Sequence, residues 1–238
     1  MSGRRLLVVG AHSADFVWRA AGVIARNTTV GGESVVVALS YGERGESGEL
    51  WKQDGQTEQN VKQIRHEEAE KASAAVGARF VAFDLGDYPL RIGPAQVDRL
   101  AELMRDFAPQ IVLTHPDKDP FNPDHPAAHQ AVAQARLLTS GAGVNSGFKT
   151  VPPTEFLVFE PHQPELCGFV PSMFVDITSV MEAKVEAMTA MAAQQYLQQY
   201  YTERAGHRGN HARKVTGDKN IRQAEAFQRL IPNVVENL

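Results

Sequence analysis

In the segment GAHSAD, His12 and Asp15 stand three residues apart, directly after an apolar run. An imidazole nitrogen and a carboxylate oxygen suit zinc or a similar divalent ion. In a tight turn leading into a helix, the two side chains can converge on one point. A second group of polar residues follows in HPDKDPFNPDHP and just after it: Asp117, Asp119, Asn122, Asp124, His125 and His129. His125 and His129 lie one helical turn apart and could hold a metal as a pair. Alternatively, only one of them joins His12 and Asp15. Three protein ligands with a position left open is the layout of catalytic zinc sites. Asp124, beside His125, could orient a ligand or a water from outside the ligand set, and His129 is a further supporting candidate.

These residues need a scaffold that brings distant segments together. The apolar and polar spacing predicts strands at 6–9, 33–40, 79–85, 110–114, 155–159 and 173–177. It predicts helices at 15–26, 57–76, from Pro94 onward, 127–138, after a capping box of Ser179 and Glu182, around Tyr196–Tyr201, and at 220–230. The near-continuous run ESVVVALS suits a strand covered on both faces, as in a parallel sheet. The expected fold class is therefore α/β, a Rossmann-like three-layer fold with a mostly parallel sheet. Residues 41–55 read as a polar glycine-bearing loop, and 141–151 as a surface loop that tolerates insertion.

Five strand-to-loop junctions carry chemically capable side chains: His12/Asp15, Glu43/Arg44/Glu46, Asp87/Tyr88/Arg91, residues 117–129, and Glu160/His162. In an open parallel sheet all carboxyl ends share one edge, and ligands bind there.

Composition narrows the function classes. The chain has 238 residues, 22% of them charged, and a formal net charge of -4, which argues against a general binder of nucleic acid or anionic membrane. The single cysteine, Cys167, excludes an intrachain disulfide framework and a multi-cysteine zinc site, and fits a reducing cytoplasm. The first apolar run is too short for a signal peptide, and no stretch reaches the length of a membrane span. The turn GAHSAD lacks a dinucleotide fingerprint, and no phosphate loop is present.

The strand–AHSAD turn and the NPDHPAAH segment resemble the LmbE/PIG-L superfamily, whose members are mostly zinc-dependent N-deacetylases of amino sugars and their conjugates. The resemblance implies one LmbE/PIG-L-type domain over 1–238 that binds Zn2+ through His12, Asp15 and His125. The superfamily's usual first motif is His-Pro-Asp-Asp, and the acid before the liganding aspartate is the general base. Here Ser13 and Ala14 fill the proline and acid positions. Alanine cannot accept a proton, and general-base catalysis is worth about 10²–10⁴-fold.

The segments AHSADFVWRA, LSYGERGESGELW, GDYPLR, DPFNPDHP, FEPHQPE and VDITS, and the ending ENL, are similar to a hydratase branch of the same superfamily. That branch adds water across the carbon–carbon double bond of an unsaturated oxo-tricarboxylate in bacterial gallate and protocatechuate catabolism. This likeness implies a cytoplasmic hydro-lyase with a small-molecule substrate, and a homo-oligomer. It implies Glu46 as the base that activates water and His162 as the proton donor. Arginine suits carboxylates through paired hydrogen bonds. Arg44 and Arg91, with Tyr88 and Ser13, are the expected substrate contacts, and Arg19 and Arg65 are further candidates. The basic stretch 208–219 could also reach the pocket. The alternative reading is a zinc-dependent N-deacetylase or hydrolase with a relocated base. A third is a metal-binding protein without catalysis.

Overall fold

The structure is a computed structural model that describes residues 3–144, 150–232 and 234. In chain order the elements are β1 (Arg5–Gly10), α1 (Asp15–Thr29), β2 (Glu33–Ala38), α2 (Gly48–Trp51), α3 (Glu58–Ala75), β3 (Arg79–Ala82), α4 (Pro94–Phe107), β4 (Ile111–Thr114), α5 (Asp124–Ser140), β5 (Glu155–Phe159), β6 (Met173–Asp176), α6 (Met181–Ala190), α7 (Gln198–Thr216) and β7 (Ala224–Arg229). They build a seven-stranded sheet in the order β3-β2-β1-β4-β5-β7-β6. The first five strands are parallel, and β7 runs antiparallel to both β5 and β6.

Strand alternation sends successive side chains to opposite faces, and both faces are covered. Leu6 and Val8 pack with Phe16, Val17, Ala20 and Ile24 of α1 and with Met188 of α6. Leu7 and Val9 pack with Leu100 and Met104 of α4 and Val132 of α5. This is the expected three-layer α/β architecture. The order reverses between β1 and β4, and loops leaving the carboxyl ends of two such strands diverge and open a crevice. His12 follows β1 and His115 follows β4, so both stand at that crevice.

Four local expectations fail. Residues 220–230 do not form a helix: Ala224–Arg229 is a strand inserted between β5 and β6. AEAFQR is rich in good helix formers, but two open strand edges supply ladder partners and override that weak preference. Ser179 does not cap a helix. It lies in a single 3₁₀ turn, Thr178–Val180, and α6 starts at Met181 without a side-chain cap. The neighbouring Thr178 hydroxyl instead accepts the amides of Arg222 and Gln223 at 2.8 and 3.1 Å. Helix α5 starts at Asp124 rather than 127, which places Asp124 and His125 in its first turn. Finally, the polar segment 41–55 contains the short helix α2. Of the expected loop 141–151, residues 145–149 lie outside the described residues, as does the ENL ending.

Candidate metal centre and active-site cleft

The turn after β1 is shaped around Asp15. The backbone amide of His12 donates to Asp15 Oδ2 at 2.8 Å. A Cβ on Gly10 would lie 2.8 Å from Asp15 Cβ, so only glycine admits this close approach. His12 Nε2 reaches Asp124 Oδ2 at 3.3 Å, while the Asp124 carboxylate accepts the amides of Tyr88 and Leu90 at 3.0 and 2.8 Å. The first turn of α5, the loop after β3 and the loop after β1 are thereby tied together. On the other ring edge, His12 Nδ1 stands 3.2 Å from Glu46 Oε1 and 3.6 Å from Asp15 Oδ2.

His125 is oriented in the same way from outside. Its Nδ1 donates to Asp119 Oδ2 at 2.7 Å, which turns Nε2 toward Asp15 Oδ1 (3.7 Å) and Glu46 Oε1 (3.9 Å). One donor atom from each of His12, Asp15, Glu46 and His125 lies within 4.8 Å of the others. His12 Nδ1 and His125 Nε2 are buried and have no hydrogen-bond partner. Two orphaned imidazole nitrogens aimed at two carboxylates are the donor set of a divalent-cation site, and they fit zinc. Electrostatics agree: burial disfavours a charged His12 ring, but Glu46, Asp124 and Asp15 together outweigh it and raise its pKa well above the ordinary value. A nest that draws a proton onto imidazole attracts positive charge of any kind.

Glu46 comes from the loop after β2. Ser47 Oγ donates to the Gly42 carbonyl at 2.7 Å and Trp51 Nε1 to the Glu43 carbonyl at 2.6 Å. Asp87 accepts the amides of Arg44 and Gly45 at 2.9 and 2.7 Å. Gly42 has φ +73°, and a Cβ there would lie 3.3 Å from His12 Cβ. Burial raises the Glu46 carboxyl, but the adjacent His12 ring lowers it more, so the group is ionised.

The centre opens into a cleft of about 330 Å³. Its walls include Glu46, Tyr88, Asn122, His125, Trp18, Arg19, His162 and Tyr201. His162 sits on a loop held by α7: Arg204 donates to the carbonyls of Pro161 and His162 at 2.6 and 2.8 Å, and Arg208 pairs with Glu160. Burial, helped by Arg19 and Arg204, pushes the His162 imidazole below its ordinary pKa.

Several expected residues stand elsewhere. His129 does not join the donor cluster. Its Nδ1 donates to the His115 carbonyl at 2.7 Å, and its ring packs on Phe156. Ser13 is fully buried and spends its hydroxyl on the Tyr41 carbonyl at 2.8 Å. Arg44 is exposed and forks onto Glu58 at 3.2 and 3.1 Å. Arg91 is exposed and does not line the cleft. Arg65 is buried and bound to Glu68 and Gln194. Residues 208–216 form the end of α7, and no side chain of 208–219 lines the cleft.

Two residues had no role assigned from sequence. Asp119 orients His125. His115 stacks on His125 with centroids 4.0 Å apart, abuts Asp15 at 2.9 Å and accepts the Ala11 amide at 3.0 Å. Burial and the His125 ring push His115 down to about 3, so it stays neutral. A histidine ending a strand at the point where strand order reverses was the available signal.

The fold and the donor set define an α/β protein with a histidine–carboxylate cluster able to hold a divalent ion at the carboxyl edge of its sheet. The chain belongs to the PIG-L family: the family model PIG-L, GlcNAc-PI de-N-acetylase, matches residues 7–136. It is 46% identical over 235 residues to the 4-oxalmesaconate hydratase of Pseudomonas putida KT2440, covering 98% of this chain and 91% of that protein. The crystal structure of GalB, the 4-carboxy-2-hydroxymuconate hydratase of Pseudomonas putida KT2440, superposes with a TM-score of 0.96 at 45% identity over 99% of each chain. A 1D-myo-inositol 2-acetamido-2-deoxy-alpha-D-glucopyranoside deacetylase of Saccharopolyspora erythraea is 27% identical, covering 80% of this chain and 77% of that one.

Proposed function

We propose that this chain is a hydro-lyase that adds water across the carbon–carbon double bond of 4-oxalomesaconate, giving 4-carboxy-4-hydroxy-2-oxoadipate in gallate and protocatechuate catabolism. The observation that carries this reading is the near full-length likeness to a hydratase, in sequence and in fold. Ala14, at the position where the family's deacetylases carry their base, supports it. We further propose that residues 1–238 act as one domain in the cytoplasm.

His12, Asp15 and His125 would hold the ion, zinc on donor chemistry. When bound, it supplies a Lewis acid for substrate oxygen that gains negative charge as the double bond is attacked. Asp124 and Asp119 orient the two imidazoles from behind. Glu46, ionised at the mouth of the centre, takes a proton from water as its oxygen bonds to the carboxylate-bearing alkene carbon. The electron pair of the double bond moves to the other alkene carbon, where the carboxylate on that carbon takes up the charge, and this carbon takes a proton from His162. The resting His162 ring is mostly neutral because burial and two arginines disfavour its charge. The carboxylates of an entering tricarboxylate oppose those arginines and favour the charged ring that donates the proton. Tyr88, which also lines the cleft, offers a hydroxyl to the substrate.

The test is an assay of purified protein on 4-oxalomesaconate, with metal content measured on the same sample. Loss of the conjugated oxo-acid absorbance together with bound metal supports the reading. Release of acetate from N-acetyl sugars without action on the oxo acid overturns it in favour of a deacetylase.

A further inference from the structure

A substrate with three carboxylates must meet positive charge in the cleft, and the arginines expected from sequence to supply it, Arg44 and Arg91, lie outside. Among the described residues, Arg19 is the one arginine or lysine that lines the cleft, where Glu46 and Asp119 also stand. Arg19 is 8% exposed and Trp18 3% exposed. Arg19 Nη1 donates to Asp15 Oδ1, which fixes the guanidinium. Its Nε, and the indole Nε1 of the adjacent Trp18, are buried donors without any acceptor. Unsatisfied buried donors are costly, and the two neighbouring residues that carry these both line the cleft.

We infer that Arg19 and the Trp18 indole form the subsite that receives one of the substrate's carboxylates and that selects tricarboxylates over dicarboxylates. This rests on the hydratase reading for the identity of the substrate and deepens it. The geometry also places the subsite beside the proposed proton donor. The Trp18 ring stacks on Tyr201 with centroids 5.5 Å apart, and the Tyr201 hydroxyl lies 3.3 Å from His162 Nδ1. A carboxylate held there sits along the same wall as His162 and orients the double bond between that ring and Glu46. Arg19 is bonded to Asp15 and lies 5.7 Å from the centroid of the Phe159 ring, which limits the freedom lost when an anion docks. A charge-assisted contact in a desolvated pocket discriminates strongly against a ligand that lacks the partner group.

A water-sized cavity of about 20 Å³ adjoins this wall and shares Trp18, Arg19 and Tyr201. A trapped water there is the rival occupant for the indole N–H. Calorimetry on the metal-loaded protein separates the two. The probes are propane-1,2,3-tricarboxylate and pentanedioate, which differ by one carboxylate. The wild type is expected to bind the tricarboxylate about ten- to a hundredfold more tightly. R19Q is expected to erase that gap, and W18F to narrow it several-fold while leaving the Arg19–Asp15 bond and the metal content intact. A wild type that shows no gap, or a gap that survives R19Q at full metal occupancy, overturns the subsite. A gap that survives W18F assigns the indole to the trapped water and overturns its part in selection. Turnover of 4-oxalomesaconate by the wild type is scored separately, so failure of the hydratase reading is distinguishable from failure of the subsite.

Discussion

Asp119 Oδ2 accepts a 2.7 Å hydrogen bond from His125 Nδ1, and the opposite nitrogen of that ring is left unpartnered toward Asp15 and Glu46. The carboxylate fixes both the tautomer and the ring angle of the imidazole. Outer carboxylates of this kind typically govern metal affinity by about 10–100-fold. D119A is therefore expected to weaken zinc binding by that factor with little change in thermal stability of the demetallated protein. A competitive chelator titration checks it, and an unchanged dissociation constant would show that Asp119 does not position the ligand.

Glu46 and His12 face each other at 3.2 Å but should fail differently when altered. E46Q keeps the shape of the loop and is expected to retain metal while losing about 10²–10⁴-fold in kcat. H12A is expected to lose the metal itself. H129A should keep it, because His129 serves the His115 backbone. Metal analysis beside steady-state kinetics on the same preparations distinguishes the three. Full activity in E46Q would remove Glu46 as the base.

Lys184 and Glu225 form a buried pair at 2.5 Å that is inserted against α1. Lys184 donates to the Trp18 carbonyl at 2.9 Å, and the Glu225 carboxylate accepts the amides of Gly22 and Val23 at 2.9 and 2.7 Å. Removing one partner strands a buried charge, which costs about 3–5 kcal/mol. E225A and K184A should each lose stability on that scale in urea denaturation, and the double variant should lose less than the sum. Strict additivity would mean the pair is not coupled.

Glu155 is bound by Arg4 at 2.5 Å and by Arg229 at 2.8 Å, which joins the start of β5 to the residue before β1 and to the end of β7. Burial raises its carboxyl, but the bonds and charges of Arg4 and Arg229 bring it below the ordinary 4.5. A depressed folded-state pKa stabilises above the unfolded value, and the contribution disappears as pH falls through the folded value. Stability should therefore drop in the acid range below about 4.5, and E155Q should flatten that limb by up to about 1 kcal/mol. Denaturant midpoints measured from pH 3 to 7 check the slope. An identical profile in E155Q would sink the assignment.

The sequence by itself determined the layer architecture and the edge on which the site lies. Both follow from local periodicity: apolar runs such as LLVV and ESVVVALS require two covered faces, and parallel strands put all their carboxyl ends on one side. It also placed His12, Asp15, Glu46 and the pair His125 and His129 at that edge by residue type and junction position, while the ligand set and the role of Glu46 came from the resemblance to the superfamily. Only the tertiary structure decided between His125 and His129, which are equivalent in spacing, because the choice depends on Asp119 and on the His115 carbonyl. It likewise placed Arg19, and neither Arg44 nor Arg91, in the wall of the cleft. Which arginine faces a cleft depends on where its partners lie: Glu58 draws Arg44 outward, and Asp15 holds Arg19 within. The strand at Ala224–Arg229 belongs to the same class. Its residues prefer a helix locally, and only the slot between β5 and β6, formed by segments far away in the chain, makes extension the lower-energy state.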